Sequence, residues 1–386
     1  MDFREFIDSP SGTLIPTLSG QMAFLPHPLP PLINYERLVL PLAETMQALG
    51  ELNSAGRALA NPKLVIRPLQ RREALLSSSM EGTYTTANAL ALAEADVDGM
   101  VDESTIEVRN YIRAFERAER MRQTLPISNR LIKETHETLL RQASSYRGAS
   151  KRPGAYKDQQ NFIGGKTRRI EDARFIPPPP NETEQAMAEL EKYINRENSN
   201  GIPPIIDAAL IHYQFETIHP FSDGNGRVGR ILIPIYLIEK SVLDAPLLYL
   251  SPSVEGNKDR YVDLMLDVSK NGNWTDWILF FLEMTKNSCQ GAIETIKSLE
   301  KLRIEFKDKL ASSGSSARYL AIADDLFLTP VTSIPKVAET CKVTYPSAKA
   351  AVERFKELGI LTEIETSSNP RLYISWPVVH LSEGNQ

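Results

Sequence analysis

Three shortages in this sequence each exclude a class of protein. Two cysteines among 386 residues, Cys289 and Cys341, are too few for the disulfide framework of a small secreted protein, although a single pair stays open. The 44 basic and 49 acidic residues give a net charge of −5, which argues against nucleic-acid binding over the whole surface. The longest apolar run, ILIPIYLI at 231–238, is far shorter than a membrane span, and the first residues lack the pattern of an export signal. We therefore expect a cytoplasmic protein with no membrane anchor.

Helical periodicity dominates the chain. Apolar residues recur every three or four positions over Tyr35–Ala60 and over Pro68–Ala95, where Gly82 interrupts the pattern. A nearly all-apolar stretch from Pro204 predicts a helix at the centre of a bundle, and the proline after His219 predicts that the helix ends there. Further helices are expected over 107–124, 129–142, 181–195, 230–239 and from about 257 to 310.

Two segments do not fit a helical pattern. Phe24–Pro31 is rich in proline, so we expect an extended strap on the surface. At 159–176, QNFI followed by two glycines and KTRRI predicts a β-hairpin, because glycines supply the positive φ angles of a tight turn. Asn181, three residues before Glu184, predicts the N-cap of the next helix.

The stretch HPFSDGNGRVGR at 219–230 combines the residues of a phosphate site. Its three glycines leave the backbone amides open to a ligand at the start of a helix, which makes an anion-binding cradle. These glycines are Gly224, Gly226 and Gly229. Arg227 and Arg230 lie in the first turn of that helix, where a positive side chain is unfavourable unless an anion compensates it. Asp223 would repel a phosphate unless Mg²⁺ lies between them, and His219 is placed to act as a general base.

The pattern His219-Pro-Phe-x-Asp223-Gly-Asn-Gly-Arg227-x-x-Arg230 resembles the signature of the Fic family. The resemblance implies protein AMPylation, in which AMP passes from ATP to a Ser, Thr or Tyr hydroxyl of a target protein or of the chain itself. It implies that His219 is the catalytic base, that Phe221 anchors the loop and that Asp223 holds Mg²⁺. It also implies that the hairpin at 159–176 is a flap that pairs with the target protein. The residues that it implies for nucleotide binding are Glu81, His219, Gly224, Asn225, Gly226, Arg227, Val228, Gly229, Arg230 and Asn257, with Tyr261 as a weaker match.

The stretch SSSMEG at 77–82 carries a second motif. Glu81 is expected at the C-terminal end of a helix that Gly82 closes, where a carboxylate is unfavourable by about 0.3–1 kcal/mol. The spacing of Ser77, Glu81 and Gly82 is similar to the inhibitory motif of some Fic proteins. That similarity implies that Glu81 pairs with Arg230 and occupies the space of the γ-phosphate. Related enzymes use this glutamate to remove AMP, so a deAMPylase or a bifunctional enzyme is an alternative.

The segment 311–386 is expected to form an accessory domain after the joint ASSGSSA. A short helix, a turn, a helix over Tyr345–Leu358 and two strands resemble a winged helix-turn-helix. Residues 312–386 contain seven Lys or Arg against eight Asp or Glu, which is not the basic balance of a strong DNA binder. DNA binding, target docking and dimerisation therefore all stay open. A DNA-binding regulator that senses ATP is the second alternative function.

Packing, capping or surface roles are expected for the remaining histidines, His27, His136, His212 and His380. The spacing of His212 and Glu216 with respect to His219 is not that of a zinc motif. We thus expect a mainly α-helical protein, with a Fic-type helical bundle, a β-hairpin flap and a C-terminal winged helix-turn-helix domain. Its expected regions are an N-terminal helical region with the inhibitory motif (1–125), a Fic catalytic domain (126–268), connecting helices (269–310) and the winged helix domain (311–386).

Overall fold

A computed structural model of the chain describes residues 1–95, 101–141, 152–165, 167, 169–197, 199, 201–312, 317–365 and 370–383. The chain forms two compact units. Unit 1 comprises Met1–Glu51 with Asn110–Cys289, and unit 2 comprises Leu52–Arg109 with Gln290–Gln386. The chain passes from one unit to the other within three helices, α1 (Val39–Arg57), α4 (Glu103–Arg122) and α11 (Trp274–Ser312). The four regions expected from the sequence stay a prediction.

Unit 1 is mainly helical. Its first elements are a 3-10 helix at Phe3–Phe6 and an antiparallel pair of strands, β1 (Gly12–Pro16) and β2 (Met22–Pro26). Besides its parts of α1, α4 and α11, it contains α5 (Asn129–Leu139), α6 (Pro180–Ile194), α7 (Pro204–Ile218), α8 (Asn225–Glu239), α9 (Ser251–Glu255) and α10 (Lys258–Asn271).

Helix α7 is the expected central helix, and it ends where Pro220 predicts. Leu210 and Phe215 are fully buried, and the indole Nε1 of Trp277 in α11 donates to the carbonyl of Ala209 at 3.0 Å. Because α8 also packs along α7, the loop that joins these two helices lies at the end of a buried helix pair. The motif at 219–230 therefore lies on a rigid base.

The expectation of a surface strap at Phe24–Pro31 is wrong for its first residues. Met22–Pro26 is strand β2, in which Phe24 pairs with Leu14 of β1. Phe24 is fully buried, and its ring packs against those of Phe6 and Phe175 at centroid distances of 5.6 and 5.8 Å. Its N–H donates to the carbonyl of Ile176 at 2.9 Å, so β2 supports the chain that returns from the flap.

Among the described residues, the strand pairing expected between QNFI and KTRRI does not form; Lys166 and Arg168 of KTRRI lie outside the described residues. Ile163 makes an isolated antiparallel bridge with Phe175, and Ile170–Asp172 forms a 3-10 helix instead of a strand. Gly164 and Gly165 do have positive φ angles, 65° and 118°, as the sequence predicts. The glycines therefore begin a longer loop whose base is the Ile163 bridge, and we call residues 159–176 the flap.

Helix α6 starts one residue before the expected cap. Pro180 is its first residue and Pro179 is the N-cap, and no side chain caps this end. Proline suits the first turn because the backbone N–H that it lacks has no partner inside the helix. Asn181 lies within the first turn and donates to the Glu182 carboxylate at 2.9 Å.

Unit 2 combines helices from the first third of the chain with its C-terminal segment. Its sheet has the order β3-β5-β4, and both pairs are antiparallel. Besides its parts of α1, α4 and α11, it contains α2 (Lys63–Met80), α3 (Ala87–Glu94), α12 (Ala317–Leu328), β3 (Val331–Ser333), α13 (Ile334–Cys341), α14 (Tyr345–Glu357), β4 (Thr362–Ile364), β5 (Leu372–Ile374) and α15 (Trp376–Glu383). Of the expected joint at 311–317, residues 313–316 lie outside the described residues.

One hydrophobic core holds the two parts of unit 2 together. Ala91 and Leu92 of α3 belong to the same buried cluster as Val331 of β3 and Ile374 of β5. Arg71 of α2 is 2% exposed and donates to the carbonyls of Phe327 and Leu328, at the end of α12. Arg71 Nε also donates to the Glu94 carboxylate at 2.5 Å. Helix α2, which ends at Met80, is therefore fixed to the C-terminal segment.

Both cysteines are free thiols, and burial raises the pKa of Cys289 to about 12. Within the part of the chain that the structure describes, there is no helix whose length and apolarity would let it cross a membrane.

Candidate active site

His219 occupies a backbone conformation that few residues adopt. It is the C-cap residue of α7, with φ 48° and ψ 60°, in the left-handed region. A residue with a Cβ atom adopts this region at a cost of about 1–3 kcal/mol, so it persists only where the surroundings impose it. The helix consequently stops at Ile218 and the motif loop begins at once.

The imidazole of His219 is oriented by its own helix. Its Nδ1 atom lies 3.2 Å from the carbonyl oxygen of Glu216. Because a carbonyl oxygen only accepts hydrogen bonds, Nδ1 carries the proton in this contact and the neutral ring keeps its lone pair on Nε2. Nε2 is therefore the atom that can take a proton from a hydroxyl.

The motif loop is closed by Phe221 and Asn225. Phe221 is fully buried, and its ring stacks on that of His136 with 3.7 Å between centroids. Asn225 Oδ1 accepts the Phe221 N–H at 2.8 Å, and Nδ2 donates to the Phe221 carbonyl at 2.7 Å. Both polar atoms of the Asn225 side chain thus bond to the loop itself. The side chain was expected to hold phosphate; this geometry leaves that task to the backbone N–H.

His136 supports the loop from α5, although the sequence suggested only a packing, capping or surface role. Its Nδ1 accepts the Gly154 N–H at 3.0 Å, so Nε2 carries the proton and donates to the Asp223 carbonyl at 3.0 Å. Burial lowers the pKa of His136 to about 4, which keeps the ring neutral. Sequence reasoning missed this residue because a lone histidine carries no signal of partners far along the chain.

Asp223 and Arg227 form an ion pair inside the motif. Arg227, whose side chain is fully buried, donates Nη2 to Asp223 Oδ1 at 3.1 Å. The same oxygen accepts the N–H of Gly224 at 2.6 Å, and Gly224 has a φ of 79° as the N-cap of α8. The protein itself therefore supplies an anion beside the cation that was expected to require a phosphate. A role of Arg227 as a phosphate clamp stays a prediction.

Two further residues expected at the nucleotide serve the packing of α8 on α7. Val228 is fully buried. A Cβ atom at Gly229 would collide with the Glu216 carboxylate and would lie 3.2 Å from the rings of His212 and Phe215. Glycine at this position therefore permits the close approach of the two helices, and only its backbone could meet a ligand.

Arg230 faces a narrow cavity with aromatic walls. It is 5% exposed and lines this cavity together with His212 and Tyr261. His212 Nε2 lies 2.6 Å from the Tyr261 hydroxyl, and burial lowers the pKa of His212 to about 3, so this ring is neutral. Asn257, the other residue expected on the adenosine side, donates Nδ2 to the Ser253 carbonyl at 2.9 Å.

The segment Ser77–Gly82, which was expected to be inhibitory, lies in unit 2 and has the expected local shape. Helix α2 ends at Met80, Glu81 is its C-cap residue and Gly82 has a φ of 77°. The Glu81 side chain is exposed, whereas Ser77 is fully buried. A pairing of Glu81 with Arg230, which belongs to unit 1, stays a prediction.

Among the described residues, no group of three or more His, Cys, Asp or Glu side chains is arranged to hold a metal ion. Mg²⁺ does not require such a group, because it commonly binds one or two carboxylates together with phosphate oxygens and water. The Asp223 carboxylate, 22% exposed at the start of α8, fits that type of ligand set. The donor set at the motif therefore suits a cation that arrives with a nucleotide.

Comparison with known proteins places this chain in a family. A model described as Fic/DOC family matches residues 126–237, and a model described as Fic/DOC family N-terminal matches residues 39–120. Together they account for half of the chain. This chain belongs to the Fic/DOC family.

Curated relatives in the Fic/DOC family carry the name protein adenylyltransferase Fic. The protein from Drosophila grimshawi is 30% identical over 209 residues, which are 53% of this chain and 39% of the relative. The protein from Drosophila mojavensis is 30% identical over 209 residues, 53% of this chain and 38% of the relative. The chain thus spans about two fifths of the length of the curated relatives that it matches.

Solved structures share the fold. A Fic family protein from Desulfovibrio desulfuricans has a TM-score of 0.56 at 17% identity, covering 90% of this chain and 98% of its own. A Fic domain containing signaling protein from Bacteroides thetaiotaomicron has a TM-score of 0.51 at 22% identity, covering 65% of this chain and 97% of its own. The mainly helical fold with small antiparallel sheets is thereby confirmed as a Fic fold.

Proposed function

We propose that the chain transfers AMP from ATP to a hydroxyl group of a target protein or of itself. The observation that supports this most is the state of His219, whose Nδ1 is held by the Glu216 carbonyl so that Nε2 is the proton acceptor. The hydroxyl oxygen attacks the α-phosphorus while Nε2 takes its proton, and pyrophosphate leaves with the electron pair of the broken P–O bond. The name of the curated relatives agrees with this chemistry.

The phosphates of ATP would bind at the start of α8. Its first backbone N–H groups follow the left-handed Gly224, and the helix dipole favours an anion there. Asp223 would hold Mg²⁺, which when bound neutralises charge on the phosphate oxygens. We assign further contacts to the backbone of Asn225, Gly226 and Gly229, and a phosphate contact to Arg230. In this assignment the ion pair of Asp223 with Arg227 sets the position of the carboxylate before ligand arrives.

The flap would receive the target protein. Ile163 is paired with Phe175, and Phe175 packs against Phe24 of β2, so the flap rests on buried aromatic rings. An extended segment of the target protein would pair with the flap by backbone hydrogen bonds. This pairing would place the target hydroxyl beside His219.

Glu81 would inhibit the transfer. Glu81 is exposed at the C-terminal end of α2, where the helix dipole disfavours a carboxylate. A nearby cation would stabilise the carboxylate there. We assign that cation to Arg230 on the motif resemblance, so that Glu81 competes with the γ-phosphate.

Intact-mass measurement after incubation with ATP and Mg²⁺ tests the proposal. We expect one AMP increment on the chain itself, at a rate that Glu81→Gly raises by about tenfold or more, as a coupling of ~1.4 kcal/mol would give. His219→Ala should reduce the rate by about 10²–10⁴-fold. Glu239→Gly removes an exposed glutamate at the end of α8 and is the matched control, with no expected change. A phosphate increment, or no increment in the Glu81→Gly variant, contradicts AMP transfer.

A deAMPylase or bifunctional enzyme is the alternative, and Glu81 is its candidate water-orienting residue. Chain that has been AMPylated by the Glu81→Gly variant can be mixed with the wild-type chain. If the AMP increment is lost with the wild-type chain and kept with a chain that lacks Glu81, the protein removes AMP.

The C-terminal segment 311–386 is proposed to be a winged helix-turn-helix with an accessory role. Its strands β4 and β5 and helices α13 and α14 follow the order expected for that fold. DNA binding, target docking and homodimer formation are the three roles considered, and an ATP-sensing DNA-binding regulator is the function that the first would imply. Retained DNA binding in His219→Ala, without AMP transfer in Glu81→Gly, would favour that regulator. A cytoplasmic location is likewise a proposal from the sequence.

A further inference from the structure

The backbone around His219 is held by a short segment, residues 157–161, that leads into the flap. The N–H of Lys157 donates to the Pro220 carbonyl at 2.8 Å. Lys157 Nζ donates to the carbonyls of Ile218 and His219 at 3.1 and 3.0 Å. Asn161 Nδ2 donates to the carbonyls of His219 and Phe221 at 3.0 and 3.1 Å. Four consecutive carbonyls, from the end of α7 into the motif loop, therefore accept hydrogen bonds from residues 157 and 161.

The ammonium group of Lys157 is built into this site. The residue is 3% exposed, and its third acceptor is Asn161 Oδ1 at 2.9 Å. An ammonium group has three hydrogens, and here all three acceptors are neutral oxygen atoms. A cation at a helix C-terminus interacts favourably with the last carbonyls, which is the position that Lys157 takes at the end of α7. Burial lowers the pKa of Lys157 to about 7, so desolvation opposes the charged form and the three donated hydrogen bonds favour it.

The left-handed conformation of His219 explains why such a site is needed. A residue with a Cβ atom leaves this region of the Ramachandran map unless neighbouring contacts oppose the change. A rotation about φ or ψ of His219 would displace the carbonyl of Ile218 or of His219 and break the bonds that Lys157 Nζ and Asn161 Nδ2 donate to them. The same rotation would carry the imidazole away from the Glu216 carbonyl, which selects the tautomer.

The segment is also the first part of the flap. Gln160 Nε2 donates across the flap base to the Pro177 carbonyl at 2.9 Å. Two residues after Asn161, Ile163 forms the bridge to Phe175. The chain that supports the proposed base therefore continues directly into the chain that would receive the target protein.

We propose that Lys157 and Asn161 are positioning residues that fix the backbone and ring of His219 and join it rigidly to the flap. They act through His219 and do not touch the reacting atoms. The expected effect on kcat rests on the proposed function. The expected effect on the tautomer and position of the His219 ring rests on geometry alone.

Kinetics in the Glu81→Gly background test the catalytic consequence. Lys157→Met keeps the apolar part of the side chain and removes the three donated bonds, and Asn161→Asp removes the two bonds to the loop carbonyls. Both should lower kcat for AMP transfer by about 10²-fold, as expected for a misplaced base, while KM for ATP stays within about threefold. Lys157→Arg, which restores a cation and donors, should recover much of the loss. Lys133→Met is the matched control, because Lys133 Nζ lies 4.0 Å from the centroid of the ring of Tyr156, the residue before Lys157, and its removal should not change the rate.

Histidine NMR tests the positioning without any activity. The chain has five histidines, so the ring signals of His219 can be identified by their loss in His219→Ala. In Lys157→Met and Asn161→Asp the ring ¹⁵N shifts of His219 should move from the Nδ1-protonated tautomer towards a mixture, while those of His27 and His380 stay in place. Asn161→Asp retains a partner for the Lys157 ammonium, so it provides the test if Lys157→Met does not fold.

The outcomes separate this inference from the proposed function. Unmoved His219 signals in Lys157→Met and Asn161→Asp overturn the inference. An unchanged kcat in these variants, in a chain that transfers AMP, also overturns it. So does a loss of kcat in Lys133→Met that equals the loss in Lys157→Met. Absence of AMP transfer in Glu81→Gly itself overturns the proposed function, and the NMR result then decides the positioning role alone.

Discussion

Replacement of Asn225 by aspartate distinguishes a residue that holds the motif loop from one that binds phosphate. The substitution keeps the shape of the side chain and replaces the Nδ2 donor, 2.7 Å from the Phe221 carbonyl, by an oxygen. The site is 2% exposed, so the carbonyl loses its shorter hydrogen bond without gaining water and keeps only the one from Asn161 Nδ2 at 3.1 Å, at a cost of about 1 kcal/mol. Burial of the new charge against that carbonyl adds a further cost of about 1–3 kcal/mol.

Two effects oppose this loss but are smaller. A carboxylate at the first residue of α8 gains about 0.3–1 kcal/mol from the helix dipole. The bond accepted from the Phe221 N–H becomes charge-assisted, which is worth about 1 kcal/mol more than a neutral one. We therefore expect Asn225→Asp to lower the free energy of unfolding by about 1–2 kcal/mol in the absence of nucleotide.

Urea unfolding followed by circular dichroism, without ATP or Mg²⁺, measures this loss. Asn195→Asp is the matched control, because Asn195 Nδ2 also donates to a carbonyl, that of Ile127 at 2.7 Å, but at an exposed helix end where water replaces the bond. Its loss should be at most about 1 kcal/mol. An unchanged unfolding free energy in Asn225→Asp, accompanied by weaker ATP binding, would refute our reasoning and restore the phosphate role of the side chain.

Three further predictions concern other parts of the chain. The pKa of His212 lies below that of an unfolded histidine, so the stability contributed by the neutral ring is present above pH 6.5 and is lost as the pH falls. Between pH 8 and pH 5, urea unfolding should show that the wild-type chain loses about 2 kcal/mol more unfolding free energy than His212→Gln. Gly229→Ala should destabilise by about 1–2 kcal/mol because the added methyl overpacks the contact of α8 with α7, whereas Gly291→Ala, with open space around its Cβ, should stabilise by up to about 1 kcal/mol in the same thermal melts. Arg71→Met leaves the buried Glu94 carboxylate with the weaker support of Arg67 alone and should lower the unfolding free energy of unit 2 by about 3 kcal/mol; a loss below about 1 kcal/mol in calorimetry would contradict a buried ion pair.

Local rules predicted those features whose causes lie within a few residues. Pro220 ends α7 at His219, and Gly82 ends α2 with a positive φ, as expected. At the start of α6, two local signals compete, a proline at the first helical position and an asparagine N-cap. The sequence interpretation chose the cap at Asn181, but the helix begins at Pro180 and that cap does not form. The strand β2 was missed because Pro26, its last residue, and the prolines after it predicted an extended surface segment.

The candidate site could be located from the sequence, but its internal bonding could not. The motif at 219–230 gave the base and the loop, and the structure adds that Asn225 bonds to Phe221 and that Arg227 bonds to Asp223. His136 and Lys157 lie about sixty residues or more before the atoms that they hold, 87 in one case and 61 or 62 in the other. No periodicity or spacing rule relates such positions, because their proximity is produced by the packing of whole helices.

The construction of unit 2 has a consequence for how any external signal could reach Ser77–Gly82. Helix α2 donates Arg71 to the end of α12, and α3 shares its buried face with β3 and β5, so these pieces form one cooperative folding unit. A molecule that binds 317–383 with different affinities in two conformers of that unit would change the population of conformers available to Glu81. By reciprocity, a ligand that displaces Glu81 changes the affinity of the C-terminal segment for its own partner by the same factor.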